Sequence, residues 1–282
     1  MKSSIFFLLF VAMLSVSTSP IIARYLDSVP AVAISFWRMS FGATILWLFS
    51  LLKKQPPLTN VNFKRTILAG FFLGIHFALF FGSVKLTTIA NATFLGTLAP
   101  IITFLIEKIF LDRKHSYSLI FGLVLAISGA IIIISNKFDF SSSYTLGNIL
   151  AVLSSVFIGI ALIISENVRQ TVSTISYSRT LFTAAAFTLF GLALVLKINL
   201  IGFSYMDFCG LFFLGIVPTL LGHGVLYYCL RYISPTIIAS IPMGEPIIAS
   251  IMAYFLFQEA IGPIIIMGGS ITFIGLLILT KK

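Results

Sequence analysis

Runs of mostly apolar residues, each about 18 to 25 long, follow one another along the whole chain with only short polar connections between them. Ten can be read, at roughly 3–23, 31–51, 66–83, 88–110, 117–135, 145–165, 178–198, 208–230, 236–257 and 263–280. A helix rises 1.5 Å per residue, so each run is long enough to cross a hydrocarbon core about 30 Å thick. Lipid offers the backbone no hydrogen-bonding partner, and only structures that satisfy their own N–H and C=O groups can span it. The expectation is an all-α membrane protein with ten transmembrane helices. Composition closes the soluble alternative: 59% of the 282 residues are hydrophobic and 9% charged, where soluble domains carry about a quarter charged.

Charge and turn residues mark the connections, among them Arg24 to Pro30, Lys53 to Pro57, Asp112 to His115, Glu166 to Gln170 and Arg231 to Pro235. No connection is long enough for a soluble domain. The first run follows Lys2 but lacks a small-x-small cleavage site before Arg24, so it reads as a span rather than a signal peptide. With a cytoplasmic N-terminus, twelve basic residues (Lys2, Lys53, Lys54, Lys64, Arg65, Lys108, Arg113, Lys114, Arg169, Arg231, Lys281, Lys282) fall inside and four (Arg24, Lys85, Lys137, Lys197) outside. The positive-inside rule then puts both termini in the cytoplasm of a multi-pass, inner-membrane protein. The formal charge of +10 is thereby explained by topology, with no nucleic-acid partner required. Cys209 and Cys229 lie twenty residues apart in one run, about 30 Å along a helix, too far for a disulfide.

The chain repeats. An offset of 146 aligns Lys85 with Arg231, Pro100 with Pro246, Gly122 with Gly268 and Gly129 with Gly275; an offset of 141 aligns Ser35-Phe36-Trp37-Arg38 with Ser176-Tyr177-Ser178-Arg179. The units are 1–140 and 141–282. Five spans per unit is an odd number, so the second unit enters the membrane from the opposite side. Inverted pairs of this kind build transporters whose midplane site opens to either face in turn. Small residues four apart, at Gly70 and Gly74 and at Gly122, Ala126 and Ala130, predict close helix packing.

The second unit reads Glu245-Pro246, an apolar run from Ile247 to Phe257, Gln258-Glu259, Pro263 and Gly268-Gly269; the first reads Pro100, Ile101 to Leu111, Asp112-Arg113 and Gly122. With ten spans in two halves, these motifs resemble the EamA-type members of the drug/metabolite transporter superfamily. The resemblance implies a secondary transporter of a small organic solute, and it departs in the first half, where Arg113 stands in register with Glu259. It does not name the solute.

Ionisable groups inside the hydrocarbon region are costly and normally face a cavity or a partner. Four stand out here: Arg38, His76, His223 and Glu245. Glu245 precedes Pro246, whose missing N–H is expected to bend the helix and free a carbonyl beside the carboxylate. His76 and His223 occupy nearly corresponding positions of the two halves, and an imidazole carries protons near neutral pH. Arg38, about seven residues into its span, is expected to snorkel toward the interface, with contact to an anion as the second reading. Trp37 reads as an interfacial anchor. Among neutral residues, Asn91, Tyr227 and Ser240 are candidates to line a polar path. Two histidines with no Asp or Cys set give no metal site, and no cofactor is implied.

The expected activity is transport by alternating access of an amino-acid-like metabolite or a drug, export being favoured, with proton coupling through Glu245 or a histidine; import or exchange is the alternative. The partners are the solute and the bilayer. A membrane-embedded enzyme is disfavoured by the absence of His-Glu-x-x-His, Gly-x-Ser-x-Gly and P-loop motifs. A channel is disfavoured for want of a filter motif.

Overall fold

A computed structural model describes residues 3–135, 142–257 and 262–280. Lys2, Lys137, Gln258, Glu259, Lys281 and Lys282, which entered the reading of the sequence, lie outside them. Every regular element among the described residues is helical. In chain order these are α1 (Ser3–Val16), α2 (Ser19–Tyr25), α3 (Ala31–Leu52), α4 (Asn60–Leu86), α5 (Ile89–Gly96), α6 (Ala99–Ile109), α7 (Tyr117–Ile134), α8 (Thr145–Arg169), α9 (Thr174–Val195), α10 (Tyr205–Leu214), α11 (Val225–Cys229), α12 (Pro235–Ser240), α13 (Glu245–Phe257) and α14 (Pro263–Thr280). Among the described residues, eight helical stretches are long and apolar enough to cross a membrane, and Tyr117–Ile133 forms a shorter apolar helix. Of the helix limits read from hydropathy, the end of α8 runs on four residues to Arg169 and the rest hold to within three residues except at the starts of α4 and α9. Both begin earlier because a hydroxyl caps them: Thr59 accepts from the Asn62 N–H and Ser173 from that of Ser176.

Proline interrupts several of these rods. Pro20 opens α2 after the break at Ser17–Thr18, and Pro100 opens α6 after the break at Thr97–Leu98. Between α10 and α11 lies a wide π-helical segment, Gly215–Gly224, containing Pro218. Pro218 has no N–H to give the Leu214 carbonyl, and the Thr219 hydroxyl donates to it instead, at 2.8 Å. Between α12 and α13 the chain tightens into a 3₁₀ turn, Ile241–Gly244, containing Pro242. The expected bend at Pro246 is therefore displaced. Pro246 sits in the first turn of α13, where a missing N–H costs no helical bond, and the irregular backbone precedes Glu245.

Glycine brings helices to backbone contact at the predicted places. A Cβ on Gly70 of α4 would lie 2.5 Å from the Ala184 Cβ of α9. Between α7 and α14 the contacts are reciprocal. A Cβ on Gly122 would lie 2.8 Å from the Gly275 carbonyl oxygen, and one on Gly275 2.7 Å from that of Gly122; Gly129 and Gly268 face each other in the same way, at 2.5 and 2.7 Å. Because Gly122 aligns with Gly268 and Gly129 with Gly275, the two crossings exchange under the repeat, as contacts across a two-fold axis do.

Candidate functional site: a buried cavity at the helix breaks

Every interruption in the rods reaches one cavity. Val16 and Ser19 flank the α1–α2 break, Gly96 and Thr97 end α5, His223 lies in the π segment, Pro242 lies within the 3₁₀ turn and Glu245 follows it; all line a cavity of about 60 Å³ together with Arg38, His76, Phe77, Phe80 and Tyr227. A few waters fill such a space, whereas organic ligands occupy several hundred Å³.

Arg38 is 1% exposed, so it does not snorkel. Its guanidinium points inward because polar groups await it there: Nε donates to Thr219 Oγ1 at 2.8 Å, Nη1 to Ser19 Oγ at 2.9 Å and Nη2 to the Pro218 carbonyl at 3.3 Å. It also lies over the Phe77 ring, 4.2 Å from its centroid. The π segment supplies Thr219, the Pro218 carbonyl and His223 to this one side chain, which is what the local widening achieves.

His223 Nδ1 lies 3.0 Å from the Pro218 carbonyl and 3.1 Å from Arg38 Nη2. A carbonyl only accepts and a guanidinium only donates, so Nδ1 can satisfy one of them at a time. If it donates to Pro218, Nε2 is an acceptor; if it accepts from Arg38, Nε2 carries the proton. His76 is simpler. Its Nδ1 donates to the Ser154 carbonyl at 2.9 Å, which makes Nε2 the acceptor of the neutral ring. The Phe77 ring lies between the imidazoles, 4.8 Å from His76 and 5.1 Å from His223.

Glu245 is 7% exposed and within electrostatic reach of Arg38, yet its carboxylate makes no hydrogen bond among the described residues. The Tyr227 hydroxyl is buried and likewise unpaired among them. Thus Arg38, His76, His223, Tyr227 and Glu245, singled out from sequence, meet at one cavity. Asn91 and Ser240 do not line it. Asn91 Nδ2 donates to Asn148 Oδ1 at 2.9 Å, tying α5 to α8, and Ser240 donates to the Thr236 carbonyl within its own helix at 2.8 Å. Trp37 donates to the Leu200 carbonyl at 2.6 Å, pinning α3 to the α9–α10 connection.

A second, wider recess of about 860 Å³ opens where α6, α8 and α14 end and α7 and α12 begin. Its wall holds an ion network that the sequence did not disclose. Glu107, fully buried, accepts from Arg113 Nη1 at 2.8 Å and from the Thr236 hydroxyl, and Arg113 also grips both oxygens of Glu166, at 2.9 and 2.7 Å. The bonds to Glu166 raise the pKa of Arg113 above its ordinary value. No short motif joins residues 107, 113, 166 and 236, and only the amphipathic pattern of α6 hinted that Glu107 faces inward. Arg169, counted from sequence among the loop charges, is 1% exposed and donates to the carbonyls of Tyr227 and Val172 and to Thr174. Four residues separate recess from cavity along two stretches, Glu166 lining the recess and Leu162 the cavity, Leu230 the recess and Leu226 the cavity; on α12 the adjacent Ile237 and Ile238 line the recess and the cavity respectively.

Among the described residues, no group of three or more His, Cys, Asp or Glu side chains comes together as a metal set. No curated protein matches the chain significantly. A solved crystal structure, described only as that of a protein, is similar over 99% of this chain and 97% of its own, with TM-score 0.80 and 16% identity, which establishes likeness of fold. The model of the EamA-like transporter family matches twice, at residues 3–135 and 145–281. These two matches take in nearly all of the all-helical, membrane-spanning architecture built around the cavity, and the chain belongs to the EamA-like transporter family.

Proposed function

We propose that this protein is a secondary transporter that exports an amino-acid-like metabolite or a drug by alternating access around the cavity, coupled to protons through Glu245. In this reading the chain crosses the inner membrane ten times with both termini cytoplasmic, as two inverted five-helix halves, 1–140 and 141–282. The observation that carries it is the cavity at breaks in helices from both halves, where two charged side chains, two imidazoles and a tyrosine meet. Irregular backbone at membrane depth is tolerated where it lines such a cavity. The reciprocal glycine contacts between α7 and α14 support the inversion. The recess supports an access path at the face where α14 ends, with Leu162, Leu226 and Ile238 of three helices on its cavity side.

Purified protein in liposomes is expected to exchange a labelled solute from a metabolite panel, with a rate that depends on pH. Glu245→Gln should keep the fold and lose the pH dependence. Folded protein that moves nothing across a broad panel overturns the transport reading; an unchanged pH profile in Glu245→Gln removes the carboxylate from coupling.

A further inference from the structure

The two charges at the cavity are not equally available, and this deepens the transport reading on which it rests. Arg38 makes bonds to Ser19, Thr219 and the Pro218 carbonyl and has His223 Nδ1 at 3.1 Å, which uses four of the five N–H groups of a guanidinium if the imidazole accepts. The face of Phe77 also covers it at 4.2 Å. Glu245 holds no hydrogen bond among the described residues, and its carboxylate lines the cavity. His76 adds an Nε2 acceptor, since its Nδ1 donates to Ser154. The Tyr227 hydroxyl adds an oxygen with no partner among the described residues.

A desolvated ligand is recognised by the hydrogen-bonding capacity left over, because a buried polar group without a partner is costly. What is left over here is mainly acceptors. A ligand carboxylate would find one guanidinium N–H, the Nε2–H of His223 in that tautomer and the Tyr227 hydroxyl, but it would also face the Glu245 carboxylate, a like charge. A ligand ammonium carries three donors, and the carboxylate of Glu245, the Nε2 of His76 and the oxygen of Tyr227 can receive them. We infer that the cavity selects solutes by an ammonium group bound to Glu245, and that Arg38 is a positioning residue rather than the receptor of an anion. The apolar remainder of the wall, including Phe80, Ile158 and Leu162, suits an aliphatic or aromatic body on that amine.

Three matched probes separate the possibilities: leucine, 3-methylbutylamine, which lacks its carboxylate, and 4-methylpentanoate, which lacks its ammonium. The measurement is the melting temperature of the full-length, detergent-solubilised protein at pH 7 as each probe is titrated. Leucine and the amine should both raise it, and the acid should not. Glu245→Gln should weaken the apparent affinity for the amine about tenfold or more, and Glu245→Asp should retain part of it. Glu245→Gln must still melt cooperatively for its loss to count; Tyr227→Phe gives a second reading, with a smaller weakening for the amine. The proposal is overturned if the acid stabilises as well as the amine, if neither ammonium-bearing probe shifts the melting temperature, or if Glu245→Gln binds the amine unchanged. Exchange of ammonium-free solutes in liposomes, with none of these amines bound, would sink this inference while leaving the transport reading intact. The absence of any exchange would sink the latter.

Discussion

Arg38 and Arg179 end the matching tetrapeptides of the two halves, and the structure uses them in opposite ways. Arg38 is fully buried at the cavity, held by Ser19, Thr219 and the Pro218 carbonyl. Arg179 lies over the ring of Trp47, 4.4 Å from its centroid, and Trp47 is 43% exposed on the outer surface of the bundle. The contacts between α7 and α14, by contrast, obey the repeat faithfully. Backbone packing has thus kept the symmetry while the charged chemistry has left it. The reason is physical. A helix crossing needs only small residues at the contact, and both halves can supply them, but a buried guanidinium needs a specific set of acceptors, and the π segment offers that set once.

The strongest way to break the comparison is to remove both arginines in turn. Arg38→Ala should cost about 3–5 kcal/mol of stability, because it leaves Ser19 and Thr219 without their charged donor and the buried Glu245 without a facing positive charge, and abolish transport. Thermal unfolding in detergent together with liposome exchange measures both; a loss no larger than that in Arg179→Ala would mean that the asymmetry has no energetic content. The symmetric part is tested by Gly122→Val and Gly268→Val. Each forces a side chain against facing backbone and should cost about 1–3 kcal/mol, with the two variants alike. A large effect in one and none in the other would break the two-fold relation of α7 and α14.

The ion network of the recess sharpens the same contrast, since the position that aligns with Glu107 in the second half is Ala253. Glu107→Gln keeps an acceptor for Thr236 but loses the charge facing Arg113, and should lower stability by about 1 kcal/mol. A double-mutant cycle with Arg113→Gln checks it: without coupling between them, the pair is not an energetic link between α6 and the α6–α7 connection. Arg179→Ala should show the least effect, below about 1 kcal/mol, as for a partly exposed cation over an aromatic face. Exchange activity in liposomes should remain.

Much of this was legible in the sequence for reasons that act locally. Hydropathy set the spans, because the membrane thickness fixes their length. Proline was read as a bend only at Pro246, and the irregular backbone falls instead on the 3₁₀ turn with Pro242. The rarity of ionisable residues at depth pointed to Arg38, His76, His223 and Glu245, all of which reach the cavity. Position within a span was a poor guide to direction. Arg38 was expected to snorkel, but the acceptors that draw it inward lie at Ser19, Pro218 and Thr219, remote in sequence from α3. Asn91 and Ser240 failed as cavity residues because nearby partners already satisfy them, Asn148 on α8 and the carbonyl one turn back.

By itself, then, the sequence determined that this chain is helical, lies in lipid and is built twice from one pattern, since each of those follows from the spacing of apolar, small and basic residues along the chain. Only the tertiary structure decided which charge is engaged and which is free. A guanidinium and a carboxylate in two apolar spans look equivalent until their partners are counted. The count depends on helices brought together from across the chain: the π segment occupies Arg38, and nothing among the described residues hydrogen-bonds to Glu245.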